Sequence, residues 1–328
     1  MINNDIYNLD EIIAMVENGD SLILAGDEKV LNKVPKGNWI GGTIPYFISK
    51  EGGEFSQEKI FATKMPDYVE SVTNKLYSID NINEVFNDAP DNGFSIIIIP
   101  ASSNIHSEFS INSSTYKNYA AAPLIGWISG VSLDELGEST PKVANGTEGH
   151  FDEKGAVVMH VSLPKNKFAD ISIVNIFEQS NGDTIMVEND GFQFETILVN
   201  GEKKDFAEYL KSNDIDTKLP LVADFMGTKI NSSFQAVNDN SVDFYAPLFK
   251  GIEYKIAKSV PDYINTFNSM IPTGSNDGIA FSCNCILNYL YAELEGKQTG
   301  GFVGPITFGE VAYQLLNQTM VYLDIQNK

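Results

Sequence analysis

The 328-residue sequence contains no arginine: all 22 of its basic residues are lysine, set against 44 Asp and Glu, for a formal net charge of -22. Missing with arginine is the planar guanidinium that grips carboxylates and phosphates through two parallel hydrogen bonds. An anionic ligand would have to be held by lysine, backbone N–H groups or helix N-termini. The negative excess also opposes phosphate backbones and anionic lipid, so neither nucleic acid nor a membrane is an expected partner. Cysteine is scarce too, with two residues. Cys283 and Cys285 are separated by one residue, and a disulfide over so short a loop would be strained, so free thiols in a reducing, cytoplasmic compartment are expected. Met1 to Asp10 lack the basic and apolar regions of a secretory signal. The apolar run Ile96 to Ile99 within Gly93 to Pro100, like the others in the chain, is far short of the roughly 18–20 residues that span a bilayer.

Chemistry-bearing motifs are also missing. The three histidines, His106, His150 and His160, stand apart from one another, without the spacing of a metal site, and two thiols do not complete a ligand set, so no metal is expected. No G-x-S-x-G, P-loop or dinucleotide fingerprint occurs, and Gly126-Trp127-Ile128-Ser129-Gly130 has the wrong spacing for a nucleophile elbow. The sequence therefore shows no standard catalytic apparatus.

What is present is the material of a large folded core. A hydrophobic fraction of 43 % with 20 % charged residues is that of a globular chain and not of a disordered one. Asn8 and Glu11 form a capping box ahead of Leu9, Ile12, Ile13 and Val16, which share one helical face until Gly19. Ser21 to Ala25, Phe94 to Ile99, Gly155 to Leu163 and Asp170 to Phe177 read as strands, Phe94 to Ile99 apolar on both faces. The adjacent Gly41 and Gly42 suggest a bulge or a close backbone approach. Thr184 to Val187 and Phe192 to Val199 read as a hairpin turning at Asn189-Asp190-Gly191, and Asp205 caps a helix through Phe206, Tyr209 and Leu210. Strands and helices in mixed order favour an α+β fold, with mixed β-sheets flanked by helices. Pro164 to Lys167 is the natural boundary, giving a domain over 1–164 and another over 165–328. Glycine-rich strand segments at Ile40 to Thr43 and Gly300 to Gly309 carry a weak trace of duplication.

The C-terminal stretch carries the most specific pattern. Phe281-Ser282-Cys283 ends a strand, GGFVGPITFGEVA follows over Gly300 to Ala312, and Asn317-Gln318-Thr319 precedes a last strand, Val321 to Ile325. This order resembles the end of the FIST family. Val199-Asn200-Gly201-Glu202-Lys203 with its helix through Tyr209, Pro123 to Gly130, and Gly155 to Leu163 are similar to further segments of that family in the same order. The resemblance implies two FIST-like halves, of which a layered αββα arrangement is one form. It also implies a bacterial sensory module that binds a small ligand, an amino acid or related metabolite, and acts through a separate signalling partner. One departure bears on the ligand: relatives place an Arg shortly after the Ser-Cys pair, and here Asn284, Cys285, Ile286 and Leu287 follow.

The expected ligand site lies between the strand end at Cys283 and Asn284, the segment with Gly304, Thr307, Gly309 and Glu310, and Asn317. A helix N-terminus beside Cys283 would offer N–H donors, the glycines would let backbone approach a ligand, and Glu310 could orient an amine, with a cap on a helix beginning near Val311 or a structural hydrogen bond as the plainer readings. A small buried core residue is the plainer reading of Cys283. Two alternatives stand beside the sensor: a thiol-dependent enzyme using Cys283, and a protein-interaction scaffold. No cofactor is expected, with haem a minor alternative through the family's haem-binding nitric oxide sensors. His160 would be its axial ligand, against the plainer reading of a half-buried histidine satisfied by a neighbour.

Overall fold

The computed structural model describes residues 3–225, 227–270, 278–298 and 302–328. The chain opens with β1 (Asn3–Tyr7), α1 (Leu9–Glu17), β2 (Leu22–Gly26), α2 (Glu28–Leu31), β3 (Trp39–Thr43), β4 (Tyr46–Ser49), β5 (Gly52–Phe55) and β6 (Ile60–Lys64). The expected capping box starts α1: Asn8 Oδ1 accepts from the Glu11 N–H and the Glu11 carboxylate accepts from the Asn8 N–H. A second series follows with β7 (Ser71–Tyr77), β8 (Gly93–Pro100), α3 (Asn104–Asn112), β9 (Leu124–Ser129), β10 (Val143–Asn145), β11 (His150–Asp152) and β12 (Ala156–Ser162).

A third series begins with β13 (Lys167–Val174) and is interrupted by an inserted region. That region comprises β14 (Ile185–Met186), β15 (Gly191–Phe194), β16 (Thr196–Val199), β17 (Glu202–Asp205), α4 (Phe206–Ser212), β18 (Leu221–Phe225), β19 (Thr228–Ser232), β20 (Phe234–Val237), β21 (Val242–Leu248) and β22 (Tyr254–Ile256). The series resumes after α5 (Tyr263–Met270) with β23 (Ile279–Cys285), α6 (Ile286–Tyr291), β24 (Gly304–Thr307), β25 (Glu310–Ala312), β26 (Gln314–Leu316) and β27 (Met320–Asn327). Strand dominates this mixed α and β fold, and the helices are few and short.

Three of the sheets share one strand order: β1-β6-β2-β3-β10-β11, β7-β12-β8-β9-β25-β26 and β13-β27-β23-β24-β4-β5. In each, the central pair is parallel and joined through a helix, namely β2–β3, β8–β9 and β23–β24. The flanking pairs are antiparallel. The strand–helix–strand unit is thus repeated three times. Each series lends its hairpin to another: β4–β5 completes the third sheet, β10–β11 the first and β25–β26 the second. Pro164 falls between the second and third series, and strands from both sides of it share two of these sheets.

Side-chain alternation explains how the sheets bury both faces. Ile96 and Ile98 enter a common core with Ile23, Phe47, Trp127, Phe281 and Leu323, which unites all three sheets. Ile97 and Ile99 point the other way, onto Ile105 and Phe109 of α3. Leu22 and Leu24 likewise meet Ile12 and Val16 of α1. The glycines of the two segments compared in the sequence, Ile40 to Thr43 and Gly300 to Gly309, do not fall at matching strand positions, but another pair does. Gly126 and Gly304 lie at matching positions, each three residues before the end of the second strand of its parallel pair. A Cβ there would come within 1.8 Å of the Ile97 carbonyl oxygen or 2.0 Å of that of Ser282.

Of the two readings of Gly41 and Gly42, the close approach holds and the bulge does not: β3 pairs in regular register with β2, and a Cβ would lie 3.1 Å from the Leu24 carbonyl oxygen at Gly41 and 2.6 Å from Ile98 at Gly42. One expectation changes. The turn at Asn189-Asp190-Gly191 does not close a simple hairpin. β14 pairs with β16, while β15 leaves for β21 and Asp190 Oδ1 accepts from the Lys250 N–H.

Candidate functional site

The residues expected at the site are brought together, inside the protein. Cys283, Asn284, Thr307, Glu310 and Asn317 are all buried. Thr307 Oγ1 reaches the carbonyl oxygens of Asn284 at 3.3 Å and Gly309 at 3.0 Å. Glu310 Oε2 accepts from the Thr319 N–H at 3.1 Å and the Thr319 hydroxyl at 2.7 Å. Oε1 has no hydrogen-bond partner among the described residues, and neither have Asn284 Nδ2, Asn288 Oδ1 and Asn317 Oδ1. Burial raises the Glu310 carboxyl to about 8 against the lowering effect of Thr319, so near neutral pH it is mainly protonated. A void of about 10 Å3 touches Cys283, Asn284 and Gly304, room for a single water. Gly300 and Gly301 of the expected motif lie outside the described residues.

Two local expectations are corrected here. β23 runs two residues past Cys283, so Cys285 and not Cys283 sits at the helix N-terminus, and α6 is only six residues long. Glu310 caps no helix, because Glu310–Ala312 is a strand paired with β9. Val311 and Ala312 are paired with β9 on one side and β26 on the other, where the sequence suggested a helix start. Burial, and then the neighbouring Glu310, push both thiols well above their usual range. The Cys283 Sγ donates to the Gly126 carbonyl at 3.4 Å. Both thiols are therefore held as neutral core groups, the reverse of an activated nucleophile.

His160 is likewise occupied. Its Nδ1 lies 2.7 Å from Ser95 Oγ and its Nε2 2.8 Å from Tyr77 OH, and Tyr77 donates to Asp88 at 2.8 Å. Both ring nitrogens are thus engaged and neither is free for a haem iron in this conformation, while burial lowers the ring to about 4. Among the described residues no group of three His, Cys, Asp or Glu side chains is gathered to hold a metal ion.

A cavity of about 340 Å3 opens beside this cluster, at the low end of the roughly 300–1,000 Å3 of small-molecule sites. It lies at the carboxyl ends of the parallel strands, where ligands of such sheets bind. Ala101 and Ser102 follow β8, and His106 and Ser107 come from the first turns of α3. Leu133 follows β9, Phe308 follows β24, and Ile286 and Leu287 open α6. The inserted region covers it with Phe192, Gln235, Phe244 and Tyr245. Leu136 and Leu290, at 56 % and 42 % exposed, mark its mouth.

The loop into α3 is built for this place. Ser103 caps the helix, its hydroxyl accepting from the His106 N–H and donating to the Pro100 carbonyl. Ser102 takes a left-handed φ of 59°, a conformation that costs a serine energy and clusters at functional sites. Its N–H then donates to His106 Nδ1 at 3.3 Å. His106 is 9 % exposed, burial lowers its ring to about 4, and its Nε2 has no partner among the described residues. Sequence reasoning missed this site because its walls come from separate segments. The Ser-Ser-Asn-Ile-His run after the isoleucine-rich strand β8 was the available signal, as a cap directly behind a buried strand end.

No curated protein is significantly similar to the chain. A family model does match it, over residues 7–326, which is nearly its whole length. The chain belongs to that family, described as a family of unknown function, DUF6976.

Proposed function

We propose that the protein binds a small, largely apolar molecule in the cavity between α3, α6 and the inserted region. The observation that carries this reading is a 340 Å3 space at the carboxyl ends of β8 and β9, walled by Leu133, Phe192, Phe244, Ile286, Leu287 and Phe308. An apolar hollow of that size with a few neutral polar groups is the form small-molecule sites take. A sensory role through a separate signalling partner in the cytoplasm belongs to the same proposal and draws on the FIST resemblance. In that reading the FIST-like first part, 1–164, holds two of the repeated series, and 165–328 holds the third with its insertion. A zwitterionic amino acid suits the cavity less well, since among the described residues no charged side chain lines it. A thiol-dependent enzyme is the weaker alternative, because the protonated, buried Cys283 opposes it.

The test is thermal denaturation of the purified protein with a panel of neutral aromatic compounds, repeated on Leu290→Trp, which places an indole at the mouth of the cavity. Binding to the folded state alone raises Tm by mass action. The expected result is a concentration-dependent rise in the natural protein that Leu290→Trp abolishes. A panel without effect, or a rise that the Trp variant keeps in full, refutes the proposal.

A further inference from the structure

We infer that β13 is a docking edge for an extended segment of another protein, which adds a strand beside it with apolar residues toward the core and a basic residue against Asp170. β1, β7 and β13 hold the same outermost place in the three sheets of common order. β13 is the longest, with eight residues against five and seven, and it pairs with β27 in unbroken register. Just beyond this ladder the Lys328 N–H donates to the Asn166 carbonyl, which makes Lys167 and Asn327 a non-hydrogen-bonded pair. By antiparallel alternation the backbone groups of Phe168, Asp170, Ser172 and Val174 then face β27, and those of Ala169, Ile171 and Ile173 face outward. Among the described residues none bonds to these outward groups.

Natural sheets guard such an edge with inward polar groups, lysine, proline or a bulge. β7 carries a guard: Asn74, opposite Met159, donates to Asn38 Oδ1 at 3.1 Å, ahead of β3. Counted from the matched Gly126 and Gly304, the same place on β13 is Ile171, opposite Leu323. Ala169, Ile171 and Ile173 pack against the common core and are only partly covered. An apolar, regular, unguarded edge is the form that strand addition uses.

The outer face defines the chemistry of the partner. Exposed Asp170 lies directly opposite Asp324 of β27, and like charges so placed weaken a sheet. Asp324 accepts from Gln326 Nε2 at 2.7 Å, but among the described residues neither carboxylate has a salt bridge. An antiparallel strand added to β13 sets one side chain against Asp170 in the closer, non-hydrogen-bonded position, where an arginine offsets the repulsion. This chain has no arginine and a net charge of -22. Two copies paired through β13 at greatest overlap would bring Asp170 near its own twin, so a basic foreign segment is favoured over a second copy.

A fluorescein-labelled peptide, Ser-Val-Thr-Val-Arg-Val-Ser, tests this by anisotropy and by amide hydrogen exchange. With its central Val opposite Ile171, antiparallel pairing sets its Arg against Asp170. It should bind, slow exchange at Ala169, Ile171 and Ile173, and bind at least about tenfold more weakly when Arg is replaced by Glu. Asp170→Asn should remove most of the difference between the two peptides. Ala169→Pro takes away an outward N–H and no bond to β27, so it should abolish binding with the fold kept. No binding, equal binding of the Arg and Glu peptides, or protection that arises elsewhere overturns the inference. Protection of the same amides in the protein alone, growing with its concentration, assigns the edge to a second copy and overturns it too. Exchange on the natural protein decides the matter even where a variant fails to fold.

Discussion

Replacing Glu310 by Gln should make the protein more stable in alkaline solution, and the size of the gain can be worked from the structure. The carboxyl is fully buried and its folded value is about 8, above the ordinary 4.5, with burial as the main cause. A group raised on folding contributes stability that is complete below its unfolded value and is lost as pH rises through the folded one. The loss is about 1 kcal/mol at about pH 5 and approaches about 5 kcal/mol at about pH 9. Glutamine does not titrate, and its carbonyl can accept the same two bonds from Thr319. The variant should thus match the natural protein to within about 1 kcal/mol at about pH 5 and exceed it by several kcal/mol at about pH 9. Urea unfolding of both proteins at the two pH values measures this, and the difference between them cancels every other titrating group. An advantage for Gln that does not grow with pH would show that Glu310 is ionised in the folded state.

Further outcomes follow from other buried groups. His106 and His160 are both lowered to about 4 by burial, so the stability each contributes is complete above about pH 6.5 and is lost as pH falls towards about 4. Each should cost about 2 kcal/mol by about pH 5, and two imidazole proton signals that titrate near their ordinary value would contradict this. Gly304→Ala should destabilise the fold by about 3 kcal/mol or more, because its Cβ would overlap the Ser282 carbonyl oxygen, a backbone atom that cannot turn away; calorimetry showing an unchanged Tm would count against the packing described. Cys283 and Cys285 should react with a thiol reagent only as fast as the protein opens, since both are buried and protonated. Rapid labelling of either thiol in the native protein would be incompatible with that burial.

Local signals in the sequence translated well wherever one segment decides its own structure. The Asn8–Glu11 box, the apolar strand at Phe94 to Ile99 and the Asp205 cap all lie where short-range chemistry put them. Features that depend on a distant partner were not readable. Glu310 resembles a helix cap by its neighbours, yet its fate is set by Trp127, opposite it on β9 and 183 positions earlier in the chain. The residues around Cys283 are gathered as their order suggested, but nothing local shows that Thr319 takes up the carboxylate. His106 was visible only as an isolated histidine. Its meaning comes from Ser102 turning left-handed at the end of β8 and from side chains supplied by α6 and the inserted region.

The exchange of hairpins among the three sheets bears on how the chain is made. During synthesis β4 and β5 emerge early, but their place beside β24 exists only once Gly304–Thr307 has left the ribosome. β9 must likewise wait for Glu310–Ala312. The first 164 residues would therefore carry one hairpin without its sheet and one sheet without its hairpin, both with unpaired backbone edges open to other chains. Contacts this distant in sequence close late and slowly, so a product stalled before Gly304 should be a substrate for chaperones, and β24 and β25 decide when these edges become safe from aggregation.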